Sequence, residues 1–260
     1  MNRRQQVNEL PVLPCAGIPI AAIGPQDAVE LVIDLAKDVG KNKTGFDVHL
    51  CNTYTLSLLE DPYLQLLLQE ASVNLADGWP IVAANRLMHR GTPQHYDRVR
   101  GPSLFANVLD QGRAQKLRHY LLGATLETLQ TLQEEIGVRF PGVVVVGAES
   151  PPFRRASLTE RIEQKERIRS SGAQIVWVGL GTPKQDFECA AIAEELPVVT
   201  VGVGAAFDFM AGTVEEAPEW MQEHGVEWAH RLASEPKRLW RRYLIGGPRF
   251  VKAVISRRER

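Results

Sequence analysis

Three short apolar runs constrain this chain more than anything else in it: Val143–Val146, Ile175–Val178, and Val198–Val203, the last broken only by Thr200 and Gly202. Each is too short for a helix and long enough for a strand. A strand with one wet face alternates polar and apolar residues, so runs of this kind need cover on both faces. Charged amphipathic stretches, Leu158–Ile168 and Pro183–Glu195, separate them and read as helices. Strands alternating with helices predict an α/β fold: a Rossmann-like, mostly parallel sheet with helices on both faces. Right-handed crossovers then bring the strand C-terminal loops to one edge, where open sheets bind ligands.

The same pattern runs through the first half. After the Gly24-Pro25 break, Val29, Val32, Ile33 and Ala36 mark a helix that ends before Gly40 and Gly45, with proline at its start and glycine past its end. Strands are expected at Phe46–Cys51, Val73–Ala76 and around Tyr120–Leu122, and helices at Pro80–His89, Ser103–Leu109 and Thr125–Ile136. The 260 residues, 44% of them hydrophobic, suffice for one sizeable core. The expected division is an N-terminal extension at 1–17, an α/β domain at 18–224 and a basic helical appendage at 225–260. That last stretch carries ten basic residues (Arg231, Lys237, Arg238, Arg241, Arg242, Arg249, Lys252, Arg257, Arg258, Arg260) against the acidic Glu227, Glu235 and Glu259. The whole chain has a formal charge of −1, so it offers no general electrostatic case for nucleic acid. Cys15, Cys51 and Cys189 form no close pair, and no apolar run has secretory or membrane-spanning length. A cytoplasmic, reducing setting is expected.

Candidate chemistry clusters at strand ends. Asp77 directly follows Val73–Ala76 and precedes Gly78: it either caps the helix near Pro80 or acts as a general base in a cleft. The loop Gly179-Leu180-Gly181-Thr182-Pro183-Lys184-Gln185-Asp186 opens a helix whose N-terminus suits a phosphate. Thr182 and Gln185 also have capping-box spacing. It is neither a P-loop nor the Gly-x-Gly-x-x-Gly fingerprint that a dehydrogenase would need. Gly202 to Gly212 offers close backbone approach at Gly204, an aromatic wall from Phe207 and Phe209, and Asp208 as either a supporting carboxylate or a turn former. Arg98 and Arg100, just before Gly101, could grip phosphate or simply be solvated. His49, His89 and His95 lack metal-ligand spacing and no Asp-x-Asp occurs, so neither metal nor cofactor is expected.

Taken in order, Asn52, Ala76-Asp77-Gly78, Arg98-Val99-Arg100-Gly101, Gly181 to Asp186, Gly202 to Asp208, Ala217-Pro218-Glu219-Trp220, and Glu227-Trp228 through Arg231-Leu232, Glu235-Pro236 and Arg241-Arg242-Tyr243 resemble the WecG/TagA/CpsF family, glycosyltransferase family 26. The resemblance spans about Ile18 to Phe250. It implies a metal-independent, inverting enzyme of bacterial surface-polysaccharide synthesis, peripheral at the inner face of the cell membrane. Its substrates would be a UDP- or GDP-sugar donor and a polyprenyl-pyrophosphate-linked acceptor, and its partners an anionic membrane surface and, in a homo-oligomer, further copies of itself. Asp77 is then the expected base and Gln185 a second catalytic residue, with Asn52, Thr53, Arg98, Arg100, Gly101, Gly181, Pro183, Lys184, Gly204, Phe207 and Asp208 binding substrate.

Three positions depart from the family pattern. Asp186 stands where Glu is common, Ser103 where Asp is, and Glu216 where Arg is. The appendage reads either as a membrane-docking surface bearing Trp228, Trp240 and Tyr243 or as a helix pair packed on the domain with a solvated charged face. A noncatalytic nucleotide- or nucleic-acid-binding protein is the rival from another class.

Overall fold

A computed structural model describes residues 7, 9–42, 45–90 and 97–256, without the side chains of residues 40–42 and 238. His95, Arg257, Arg258, Glu259 and Arg260 lie outside the described residues, as does the Arg238 side chain. In chain order the strands are β1 (Val12–Cys15), β2 (Ile18–Ala21), β3 (Phe46–Cys51), β4 (Val73–Ala76), β5 (Arg118–Gly123), β6 (Val144–Glu149), β7 (Ile175–Gly179) and β8 (Val199–Gly202). The helices are α1 (Pro25–Asn42), α2 (Thr53–Ser57), α3 (Pro62–Glu70), α4 (Trp79–Met88), α5 (Gly101–Gln111), α6 (Leu126–Arg139), α7 (Leu158–Ser171), α8 (Lys184–Glu195), α9 (Ala206–Met210), α10 (Glu219–Glu223), α11 (Glu227–Ser234), α12 (Pro236–Leu244) and α13 (Gly246–Ser256).

Strands β3 to β8 form one sheet in the order β4-β3-β8-β7-β5-β6, and every pairing is parallel. Alternation along β7 shows how the sheet is covered. Ile175 and Trp177 join the core under α1, α5, α6 and α9, while Val176 and Val178 join a second cluster under α7 and α8. Trp177 is fully buried, edge-on to Phe105 at 4.9 Å, and its indole N–H donates to His119 Nδ1 at 3.1 Å.

The antiparallel β1–β2 hairpin packs β2 beside the edge strand β4. It shares a third apolar cluster with α2, α3, α4 and Phe250 of α13. The stretch expected as an N-terminal extension thus contributes buried Leu13 and Cys15. All three cysteines are buried free thiols. At the other end α13 lies against α2, where a Cβ on Gly246 would come within 3.2 Å of Ser57 Oγ.

Candidate active site

The register places the strand ends side by side. Cys51 pairs with Ala76, so Asn52 and Asp77 emerge as neighbours, and Val178 pairs with Gly202, so Gly181 and Gly204 do too. Above this edge lies a cavity of about 540 Å³. Its floor is Asn52, Asp77, Gln185, Gly202 and Gly204, one wall is Thr125 with Pro151, Pro152 and Phe153, and the other is Arg100, Asp208, Phe209, Glu227, Arg231 and Arg242. Leu180, Gly181, Thr182 and Lys184 close the end beside α8.

Asp77 does not cap α4. Gly78 is the N-cap, at φ +123°, and no side chain caps the helix. The Asp77 backbone N–H donates to the Cys51 carbonyl at 2.7 Å, which extends the sheet by one residue and fixes the carboxylate at the cavity floor. That carboxylate has no hydrogen-bond partner among the described residues. Burial raises its pKa above the ordinary 3.8, and Glu227 pushes the same way, against the pull of Arg98, Arg100 and Arg242. A carboxylate of raised pKa and free lone pairs is suited to accept a proton.

Gln185 is not a cap partner of Thr182 either. Helix α8 begins after Pro183 with no side-chain cap. Instead the Gln185 carboxamide oxygen accepts the backbone N–H groups of Gly181 at 3.1 Å and Gly204 at 3.0 Å, pinning two loops together. A Cβ on Gly202 would lie 3.2 Å from Gln185 Nε2, so a glycine gives this side chain its room. Asn52 caps α2: its Oδ1 accepts from Tyr54 N at 3.0 Å and Thr55 N at 3.2 Å, in a capping box with Thr55.

Neither Arg98 nor Arg100 is simply solvated. Arg98 donates to the Gln222 carbonyl at 2.9 Å and to Glu227 at 3.1 Å. Arg100 meets Glu227 through Nε at 3.2 Å and Nη2 at 3.1 Å, and also Glu216. Glu216, which departs from the family pattern, therefore neutralises Arg100. Burial opposes ionisation of Glu227, but the Arg100 hydrogen bonds outweigh it and hold its pKa low. These pairs fasten α10 and α11 onto the strand-end loops. Nearby, a Cβ on Gly225 would strike Trp79 at 2.6 Å, and Trp79 donates to the Gln222 carbonyl at 3.1 Å.

Besides Lys184, the cations left facing the cavity come from the appendage. Arg231 stacks over Phe209 at 5.3 Å and Arg242 over Tyr54 at 5.0 Å, and neither has a carboxylate within 4 Å among the described residues. Arg231 Nε is buried with no partner. Burial lowers the Arg242 pKa below its ordinary value, a penalty that a bound anion would reverse. In the sequence both arginines stand among the basic residues of the appendage and in the motifs that carry the resemblance, with no site role expected of either. Their inward placement depends on how α11 and α12 fold back.

The remaining expected residues divide. Gly181, Lys184, Gly204 and Asp208 line the cavity. Thr53, Arg98, Gly101, Pro183 and Phe207 are not among its lining residues. Phe207 is buried, 5.5 Å from Phe105, over Gly179, where a Cβ would meet its ring at 2.7 Å. Gly101 lets α5 start against Leu50 and the Val203 carbonyl, both within 3.2 Å of a Cβ placed there. Thr125, which the sequence did not single out for the site, stands on the wall as the N-cap of α6. Among the described residues no group of three or more His, Cys, Asp or Glu could hold a metal ion.

An unpartnered carboxylate beside a glycine-lined loop edge and two free guanidiniums can take a proton and hold an anion within one cavity. The chain is 29% identical over 217 residues to the N-acetylglucosaminyldiphosphoundecaprenol N-acetyl-beta-D-mannosaminyltransferase of Bacillus spizizenii, covering 83% of this chain and 80% of that one. A family model matches residues 13–260, from the first hairpin through the appendage that supplies Arg231 and Arg242, and on that match the chain belongs to the glycosyl transferase WecG/TagA/CpsF family.

Proposed function

We propose that this glycosyltransferase moves a sugar from a nucleoside-diphosphate donor to a polyprenyl-diphosphate-linked saccharide, with inversion at the anomeric carbon and without a metal. The relative from Bacillus spizizenii is named for transfer of an N-acetylmannosaminyl group to N-acetylglucosaminyldiphosphoundecaprenol. The observation that carries the reading is Asp77, an unpaired carboxylate of raised pKa at the floor of a cavity whose other wall bears Arg231 and Arg242.

In the proposed step an acceptor hydroxyl oxygen attacks the donor anomeric carbon as its proton passes to Asp77. The bond from that carbon to the diphosphate oxygen breaks, and the nucleoside diphosphate leaves from the opposite face with the electron pair. Arg231, Arg242, Lys184 and the N-terminus of α8 meet the charge that builds on the leaving group. Gln185 Nε2, whose partner oxygen is spent on the two loops, is left to orient a sugar or phosphate oxygen.

The acceptor is anchored in lipid, and the exposed residues of the appendage suit that surface. Trp228, Trp240, Leu244, Ile245, Val251 and Ile255 are exposed there, beside exposed Arg241, Arg249 and Lys252. No helix of the described residues is long and apolar enough to cross a membrane, so the proposed attachment is peripheral. The test is transfer from a panel of UDP- and GDP-sugars to short-chain polyprenyl-diphosphate sugars, with products resolved by mass, before and after chelation. Product of retained anomeric configuration, or activity lost to chelator and restored by magnesium or manganese, overturns the mechanism. Absence of donor hydrolysis and of transfer with any donor–acceptor pair would return the chain to nucleotide binding alone.

A further inference from the structure

Beside the cavity floor, outside the site described above, two fully buried charged side chains meet a third that is partly buried. His49 on β3 has no solvent exposure, Asp186 on α8 is 1% exposed, and Asp47 lies two residues before His49. His49 Nδ1 is 3.1 Å from Asp186 Oδ1 and Nε2 is 2.9 Å from Asp47 Oδ2. A carboxylate can only accept, so bonding both means that both ring nitrogens carry hydrogen and the ring is an imidazolium. Asp47 is held in turn by Ser72, through its backbone N–H at 3.0 Å and its hydroxyl at 2.6 Å. The other oxygen of Asp186 is buried with no partner.

This network is an expensive way to fill a core. Buried ion pairs are often replaced by apolar side chains of similar size without loss of stability, because desolvation cancels most of the attraction. An orphaned carboxylate oxygen makes the cost greater still. What the network does supply is a fixed position for the first turn of α8 relative to β3. The residue beside Asp186 is Gln185, whose one carboxamide oxygen must reach both Gly181 N and Gly204 N. A slide of α8 by about 1 Å would take one of those bonds beyond hydrogen-bonding range.

We propose that His49 and Asp186 are positioning residues for sugar transfer: their ion pair sets the height of α8 against β3, and through Gln185 the spacing of the two glycine loops at the cavity floor. The proposal rests on the glycosyl-transfer reading above for its kinetic consequence and on geometry alone for its structural one.

The double variant His49→Phe/Asp186→Leu replaces the pair by apolar groups and leaves Asp47 to Ser72. Its thermal midpoint is expected to equal or exceed that of the parent, while kcat falls at least tenfold and donor KM changes less than kcat. Asp186→Asn, which can donate to neutral His49 Nδ1, retains the link and is expected to keep kcat within about threefold. In amide exchange the Gly181 and Gly204 N–H groups lose protection in the double variant and keep it in Asp186→Asn.

Parent-like kcat and parent-like glycine protection in the double variant would overturn the proposal. So would equal loss in both variants with a lowered midpoint, which marks a merely structural core. If the double variant does not fold, Asp186→Leu alone is read by the same criteria. Should the parent itself show no transfer, the functional reading fails, and the glycine amides still decide whether the pair positions α8.

Discussion

Removing the Glu227 carboxylate should undock the middle of the appendage. In the folded chain this one group accepts from Arg98 Nη2, Arg100 Nε and Arg100 Nη2, at 3.1, 3.2 and 3.1 Å, and it is 18% exposed. Breaking a buried pair by deleting one partner costs about 3–5 kcal/mol, chiefly through the charge left behind. Here the stranded arginines keep some cover, since Arg98 retains the Gln222 carbonyl and Arg100 retains Glu216, which places Glu227→Ala at the low end, about 3 kcal/mol. That corresponds to roughly a hundredfold rise in the undocked population of α10 to α12. Hydrogen exchange followed by mass spectrometry reads it directly: amides between residues 219 and 244 should exchange about a hundredfold faster, with α7 unchanged as an internal control. Because Arg231 and Arg242 ride on the same helices, kcat should fall with protection. Exchange within twofold of the parent would show that the appendage is docked by its apolar contacts alone and that the charge cluster contributes nothing to its seat.

Asp77→Asn should abolish nearly all transfer while nucleoside-diphosphate affinity and thermal midpoint stay close to the parent's; near-normal turnover would remove Asp77 from the role of base. Gln185→Ala forfeits two part-buried backbone hydrogen bonds, together worth about 2 kcal/mol of stability, and should also lower kcat at least tenfold, which a calorimetric scan and a transfer assay separate. Raising the pH tests the buried histidine. Contacts with Asp186 and Asp47 overcome the burial penalty and hold His49 up at about 9 against an ordinary 6.5, so its contribution is complete below about pH 6.5 and is lost as pH rises through about 9. The thermal midpoint of the parent should therefore drop between pH 7 and 10 more steeply than that of His49→Phe, and parallel curves would refute a charged His49.

The sheet was legible because five of its six strands are buried on both faces; the edge strand β6, expected to be covered on both sides, is only partly buried throughout because it has a neighbour on one side alone. Phe46–Cys51 and Val73–Ala76 are read from the sequence with the bounds they have in the fold, and the later strands shift by one to three residues at their ends. The stretch from Asn52 to Glu70 gave no such signal, although it forms α2 and α3. Helix α2 spans five residues, too few to show a period, and is defined by the Asn52 cap. Helix α3 begins behind Asp61-Pro62 but exposes Tyr63 and Leu66 as well as burying Leu64 and Leu68, which blurs its apolar stripe. At the site, Asp77 and the two glycine loops were legible because topology alone sends strand ends to one edge. The partners of Arg98 and Arg100 were not, because Glu216 and Glu227 lie more than a hundred residues downstream and only the folded chain brings them near.

The two adjacent arginines Arg241 and Arg242 show how one basic stretch can serve two surfaces, and they yield the last prediction. Neighbours on a helix point about 100° apart. Arg241 is exposed and stacks on the half-exposed Trp240 at 5.2 Å, whereas Arg242 turns inward over Tyr54 and onto the cavity wall. If the outward set docks on anionic lipid and the inward set holds the leaving diphosphate, charge reversal must separate the two functions. Arg241→Glu, combined with Arg249→Glu and Lys252→Glu, should reduce co-sedimentation with anionic vesicles and weaken its salt dependence, since each exposed cation near such a surface contributes about 1 kcal/mol. The same variant should still bind a nucleoside diphosphate and transfer to a short-chain, detergent-free acceptor. Arg242→Glu should do the reverse, with vesicle binding kept and diphosphate affinity lost, because it replaces a cation by a further carboxylate in a cavity already lined by Asp77, Asp208 and Glu227. Equal loss of both activities in both variants would mean that α12 has no separate faces and that the whole appendage acts as one packing unit.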